Sequence, residues 1–215
     1  MSRIRRDFVV VAASLGVFAG CALLVADGRV GSVERAVFRA VNGLPDWLYG
    51  PMLLFQYLGV LAMPLVVAVG ALAFRRWRLA AALVLVVPLK LALERVVKLL
   101  VQRERPGTTV ADAVLRGVHP GGLSFVSGHA IITFAIAGLL GLVLPRRWGI
   151  VAFMLASLNA VARVYLGAHN PLDVVGGAAI GLAIAAGLDL VFDVARGRGV
   201  GWRGRAAPIG EERAT

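Results

Sequence analysis

Long stretches without a formal charge govern what this chain can become. Residues 8–26, 47–74, 117–145, 148–162 and 174–188 contain no Asp, Glu, Lys or Arg. A further apolar run, 79–101, is interrupted by Lys90, Glu94, Arg95 and Lys98. A membrane-crossing helix needs roughly 20 apolar residues. The pattern therefore predicts an all-α bundle of about six transmembrane helices, near 8–26, 51–74, 79–101, 127–144, 149–166 and 172–194. Residues 1–195 form one domain on this reading, with no separate soluble unit. A composition of 59% hydrophobic residues agrees, since ordinary soluble domains are less apolar.

A net charge of +11 invites a nucleic-acid reading, but the positions of the charges argue against it. Arg3, Arg5 and Arg6 precede the first run, and Arg75, Arg76 and Arg78 separate the second from the third. Arg146 and Arg147 separate the fourth from the fifth, and Arg196, Arg198, Arg203, Arg205 and Arg213 follow the last. These are alternate loops, so the positive-inside rule puts both termini in the cytoplasm of a plasma-membrane protein. No basic segment outside the membrane is long enough to fold as a nucleic-acid domain. The arginines read as topology signals and as contacts to anionic lipid, and their excess over Lys fits a GC-rich bacterial genome. Residues 196–215, rich in Gly and Arg without an apolar period, are expected to form a basic cytoplasmic tail lacking regular structure. Ala19-Gly20-Cys21 has the outline of a lipoprotein cleavage site, yet the apolar run continues to Ala26, so the segment reads as an uncleaved span. The lone Cys21 cannot form an intrachain disulfide.

The remaining loops then lie outside. Residues 27–46 mix Asp27, Arg29, Glu34, Arg35, Arg39 and Asp46 with Val33, Val37, Phe38 and Val41 at helical spacing. This predicts a short amphipathic helix on the outer surface. The 79–101 run is the costly one. Its Leu and Val residues favour insertion by about 0.3–0.6 kcal/mol each, about 6 kcal/mol in all. Each charge at mid-depth costs about 3 kcal/mol, so its four charges must face the bundle interior or the interface. Glu94 lies one helical turn from both Lys90 and Lys98, which allows an ion-pair ladder. Lys90 and Glu94 read as a staple between helices.

Three strings on the outer side carry chemistry. Lys98 precedes Arg105-Pro106 by two helical turns; Arg offers a planar fork of donors to phosphate oxygens and Lys a point charge. Ser127 reads as the N-cap of the next span, with Gly128 and His129 in its first turn. Free N–H groups there bind anions, Gly admits a close approach, and a protonated His129 can donate to a leaving oxygen. Arg163 closes a span, and a Leu166-Gly167-Ala168 turn leads to His169 before an Asn170-Pro171 helix start. Asp173 follows one turn later, where its carboxylate can fix the imidazole tautomer and leave the other nitrogen free to attack. Arg103 and Arg116 read as a basic rim, and His119 as a loop histidine.

In combination, these strings resemble the type 2 phosphatidic acid phosphatase superfamily of integral-membrane lipid phosphatases. The family pattern is Lys, six residues, Arg-Pro; Pro-Ser-Gly-His; and Ser-Arg, five residues, His, three residues, Asp. Lys98, Arg105, Pro106, Ser127, Gly128, His129, Arg163, His169 and Asp173 match it; Val126 replaces the usual Pro and Ala162 the usual Ser. The resemblance implies His169 as nucleophile, Asp173 as its orienter and His129 as general acid and base. It further implies phosphate binding by Lys98, Arg105, Ser127, Gly128 and Arg163, with no metal and no cofactor. The expected substrate is a lipid phosphate or diphosphate, a polyprenyl diphosphate carrier foremost. Phosphatidylglycerol phosphate or phosphatidate is the next choice, and a phosphotransferase or a transporter the reading of another class. The site is expected on the extracytoplasmic side.

Overall fold

A computed structural model describes residues 2–199, and among these every regular element is helical. The helices are α1 (Arg3–Leu24), α2 (Ser32–Asn42), α3 (Tyr49–Gln56), α4 (Met63–Ala73), α5 (Trp77–Leu100), α6 (Pro106–Thr109), α7 (Gly128–Val143), α8 (Arg146–Tyr165) and α9 (Pro171–Phe192). Short 3-10 turns lie at Asp46–Leu48, Tyr57–Gly59 and Val194–Gly199. The apolar α7 sits centrally against α9, α8 and α5, while α1 packs along α9 and α4 along α5. The α4–α5 and α7–α8 pairs are hairpins closed at Arg75–Arg76 and Leu144–Pro145, as the tight arginine-bearing turns predict.

Small residues set the distance between α7 and α9. A Cβ at Gly177 would lie 2.5 Å from the Ser127 carbonyl oxygen, and one at Gly181 would lie 2.5 Å from that of Ile131. The two backbones therefore touch, the packing that membrane helices use when lipid is as apolar as their side chains. Gly181→Leu is expected to push α9 off α7 and destabilise the bundle by about 1–3 kcal/mol, read as a lower thermal midpoint in detergent.

The exterior is apolar. Phe8, Leu24, Val69, Leu100, Trp148 and Val191 all face outward, which suits hydrocarbon rather than water. By length and composition, α1, α8 and α9 can each cross a membrane. A fourth crossing counts Asp46–Gly59 and Met63–Ala73 as one span, bent by 68°. The other two expected spans fall short for identifiable reasons. Helix α5 has 24 residues but carries Arg78, Lys90, Glu94, Arg95 and Lys98; α7 is apolar but has only 16 residues.

Three further expectations need correction. The span expected near 51–74 is not one continuous helix but is broken after Gln56. The carbonyls of Phe55 and Gln56 there accept from Asn159 Nδ2 at 2.9 and 3.2 Å, which satisfies backbone that lipid could not. The amphipathic helix exists as α2, but its inward face is Glu34, Phe38 and Asn42, whereas Val33 and Val37 are exposed. The tail expected from 196 begins with ordered backbone: Val194–Gly199 is helical, and Arg196 pairs with Asp193 at 3.1 Å. Residues 200–215 of that expected tail lie outside the described residues.

Candidate active site

Backbone bonds at helix ends draw the three strings together. The Ser127 side chain accepts from the Ala130 N–H at 3.5 Å and so caps α7. Its own N–H donates to the Asp173 carbonyl at 2.9 Å, which ties the second string to the third. On α5, Glu94 bridges Lys90 and Lys98 at 2.6 Å each. The expected ladder is there, but it is more than a staple. A Cβ at Gly128 would lie 2.6 Å from both Glu94 Oε2 and Lys90 Cε. The ladder thus lies against the N-terminus of α7, and a side chain at 128 would have to displace Glu94 and Lys90.

The third string hangs from the end of α8. Its last carbonyls have no partner within the helix. Asn42 Nδ2 donates to those of Val164 and Tyr165 at 3.4 and 2.9 Å. Arg116 Nη1 also donates to Tyr165 O at 2.9 Å, and its guanidinium stacks 4.2 Å from the Tyr165 ring centre. Arg116 is therefore a helix cap rather than a rim charge. Gly167 then turns the chain with φ +76°, where a Cβ would meet Val114 O at 2.6 Å. The His169 N–H donates back to Arg163 O at 3.3 Å.

This turn buries His169 and sets its Nδ1 3.7 Å from Asp173 Oδ2, a contact longer than a hydrogen bond. Asp173 is fully buried. Its Oδ2 accepts from the Asn170 N–H at 2.7 Å and from the Ser124 hydroxyl. Its Oδ1 accepts from Arg103 Nη1 at 2.9 Å. Arg103, expected on a basic rim, is instead completely enclosed. Burial pushes the His169 pKa down to about 4, despite the opposing pull of the Asp173 charge. The ring is thus expected to stay neutral at pH 5.5, where a free imidazole with pKa ~6.5 is mostly protonated. Histidine-selective 15N NMR in detergent reads this directly.

Cations crowd the histidines. The charges of Arg163, Lys90 and Arg105 all bear on His129, as does His169. Arg163 Nη1 donates to Gln56 Oε1 at 2.7 Å, but its Nε is buried without a partner, and so is Arg105 Nε. Buried donors are rarely left unmatched, and these two belong to the cations whose charge bears on the histidines. Gly59, in the broken span, packs so closely that a Cβ there would lie 2.7 Å from His129 Cβ. Beneath His129 an apolar slot of about 160 Å³ opens between Leu58, Met63, Thr133, Ile136, Ala137 and Leu155. His119 stays exposed in its loop. Among the described residues, no group of three or more His, Cys, Asp and Glu is placed to hold a metal ion.

Sequence reasoning placed His129, His169, Asp173, Lys98, Arg105, Ser127, Gly128 and Arg163 in this cluster, and all of them lie in it or against it. It missed Arg103, Glu34, Ser124 and Gln56. One signal was available for Arg103: in an extended segment residues two apart share a face, so Arg103 points with Arg105 while Glu104 points away.

Known proteins resemble this chain in sequence and fold. A PAP2 type phosphatidylglycerolphosphate phosphatase from Bacillus subtilis superposes with a TM-score of 0.70 at 26% identity, covering 85% of this chain and 96% of that one. The lipid A 4'-phosphatase of Bacteroides thetaiotaomicron is 39% identical over 79 residues, and the undecaprenyl-diphosphatase of Sulfolobus acidocaldarius 34% over 111. Those matches take in 35% and 51% of this chain, and only 35% and 54% of the relatives' own lengths. Residues 75–194, which carry all three strings, match the sequence profile of the PAP2 superfamily. With helices apolar enough to cross a bilayer and the histidine cluster at their ends, the chain is a membrane-integral member of the PAP2 superfamily.

Proposed function

We propose that the protein is a lipid phosphatase that hydrolyses a lipid phosphate or diphosphate through a phosphohistidine on His169. The observation that carries this reading is the pair of unmatched buried donors, Arg105 Nε and Arg163 Nε, next to a neutral His169 backed by Asp173. With Asp173 on the Nδ1 side, Nε2 is the nitrogen left to attack phosphorus. The phosphorus–oxygen bond to the leaving group breaks as the new nitrogen–phosphorus bond forms. His129 takes up a proton once the negative charge of the bound phosphate answers the surrounding cations, gives it to the leaving oxygen, and then takes one from water, which cleaves the phosphohistidine to phosphate and free His169. Arg105, Arg163, Lys98 and the N-terminus of α7 at Ser127 and Gly128 hold the phosphoryl oxygens as charge develops on them.

The apolar slot under His129 and the apolar exterior suit a substrate whose tail stays in lipid while its phosphate reaches the cations. A polyprenyl diphosphate is our leading substrate, and the similarity to an undecaprenyl-diphosphatase supports it. Phosphatidylglycerol phosphate or phosphatidate follows, supported by the Bacillus subtilis structure. Six crossings remain our topology, with α5 turning Lys90, Glu94 and Lys98 toward α7, Arg95 exposed near its outer end, and α7 crossing as a short span. This arrangement, with α2 on the outer surface, puts both termini in the cytoplasm and the site outside.

Phosphate release from undecaprenyl diphosphate, phosphatidylglycerol phosphate and phosphatidate tests the reading, with the purified protein kept in chelator. We expect chelator-resistant release that is lost in His169→Ala. No release from any of the three lipids by folded protein would overturn it, and the preferred lipid names the substrate class.

A further inference from the structure

Glu34 belongs to none of the three sequence strings, yet its carboxylate is buried in the wall of the site. Its Oε2 accepts from Arg103 Nη2 at 2.5 Å and its Oε1 from Arg103 Nη1 at 3.0 Å, the two-pronged geometry a guanidinium prefers. The same Nη1 donates to Asp173 Oδ1 at 2.9 Å. Arg103 Nη2 also reaches the Arg29 carbonyl at 3.2 Å. Glu34 Oε1 has a second role: it accepts from the Leu172 N–H at 3.0 Å. That N–H belongs to the first turn of α9, where no carbonyl within the helix can take it. Glu34 therefore grips the residue before Asp173 through the backbone, and Asp173 itself through Arg103.

Without Glu34, the fully buried Arg103 would have a single carboxylate to answer, that of Asp173. Its fork would swing wholly onto Asp173 and draw the carboxylate away from the His169 ring. With Glu34 occupying both terminal nitrogens, Arg103 spares one N–H for Oδ1, and Oδ2 stays directed at Asn170, Ser124 and His169. Arg103 has no exposed surface with which to meet a substrate.

Resting on the reading of His169 as nucleophile, we propose that Glu34 and Arg103 are positioning residues for phosphoryl transfer. They fix the Asp173 carboxylate, and through it the direction of the imidazole. Helix α2, packed on α8 and α9, is thereby part of the machinery.

The test uses full-length protein in detergent, with farnesyl diphosphate and dioctanoyl phosphatidate as probes. It compares wild type, Glu34→Gln, Arg103→Lys and His169→Ala, each assayed per folded molecule. Glu34→Gln is expected to lower kcat by about 10–100-fold, by analogy with the loss of a partner behind a metal-ligating residue, with KM changed less than twofold. Arg103→Lys keeps the charge but loses the fork, so it is expected to show the same split. A contact that merely holds the loops together would lower the folded fraction or raise KM and leave kcat per folded molecule intact. That outcome overturns the proposal, as does wild-type kcat in Glu34→Gln. If Glu34→Gln does not fold, Glu34→Asp retains the charge with a shorter reach and is judged by the same split. Should His169→Ala keep wild-type rates, the nucleophile reading falls and takes this inference with it. His169→Ala inactive beside an unaffected Glu34→Gln sinks the inference alone.

Discussion

His169→Ala should abolish turnover, and His129→Ala should leave the enzyme stranded halfway. The two histidines are neighbours in space but enter the proposed reaction at different steps, so their losses are distinguishable. Removing the nucleophile prevents any nitrogen–phosphorus bond, and the loss should be on the order of 10⁴-fold or more. His129 serves the leaving oxygen and then the water, a contribution of about 10²–10⁴-fold. With p-nitrophenyl phosphate the leaving group departs without a proton, so the first step no longer needs His129. The variant should then release one equivalent of nitrophenol quickly and stop. A base-stable, acid-labile phosphoprotein should accumulate in His129→Ala and be missing from His169→Ala. Phosphoprotein in the His169 variant would move the nucleophile elsewhere.

Asp173→Asn should cost about as much as losing a histidine, although it removes no atom that touches phosphate. The carboxylate faces a backbone N–H, a hydroxyl, a guanidinium and an imidazole, all of them donors. An amide can turn only one oxygen toward them, and its NH₂ must face another donor or the His169 ring. Facing the ring, it makes Nδ1 an acceptor and moves the ring proton to Nε2, the nitrogen meant to attack. By analogy with aspartate-to-asparagine changes behind a catalytic histidine, the fall in kcat should be about 10⁴-fold. The unmatched donors should also cost about 1–3 kcal/mol of stability. Rate and thermal midpoint should therefore drop together, and raising the pH should not restore the rate. A variant with nearly normal kcat would show that Asp173 serves the fold alone.

Much of this was legible in the sequence because lipid imposes a coarse code. Charge-free runs mark helices, arginine pairs mark the turns between them, and polar strings at the run ends mark the site. The break after Gln56 was not legible, since residues 57–62 are as apolar as their flanks. What permits the break is Asn159, a hundred residues away in the chain, which supplies the donors a broken helix lacks. Glu34 was hidden for another reason. The inward face of α2 is Glu34, Phe38 and Asn42, polar at two of three positions, so hydrophobic periodicity pointed to a neighbouring face that shares only Phe38 with it. Lys90 could be placed on a ladder but not against Gly128, because spacing along one helix says nothing of which neighbour it meets.

The shortness of α7 has a bearing on how the enzyme reaches its substrate. Sixteen residues make a helix about 24 Å long, against a hydrocarbon layer about 30 Å thick. The 22-residue α1 and α9, about 33 Å each, cover that thickness. On the proposed topology, with the arginines at the foot of α8 anchored among head groups, the opposite end of α7 would stop below the level at which lipid phosphates float. His129, in its first turn, would then wait near the depth of the ester oxygen rather than that of the free phosphate. A lipid would be cleaved where it already lies, without being lifted from its leaflet, and a thicker bilayer would carry its bond out of reach.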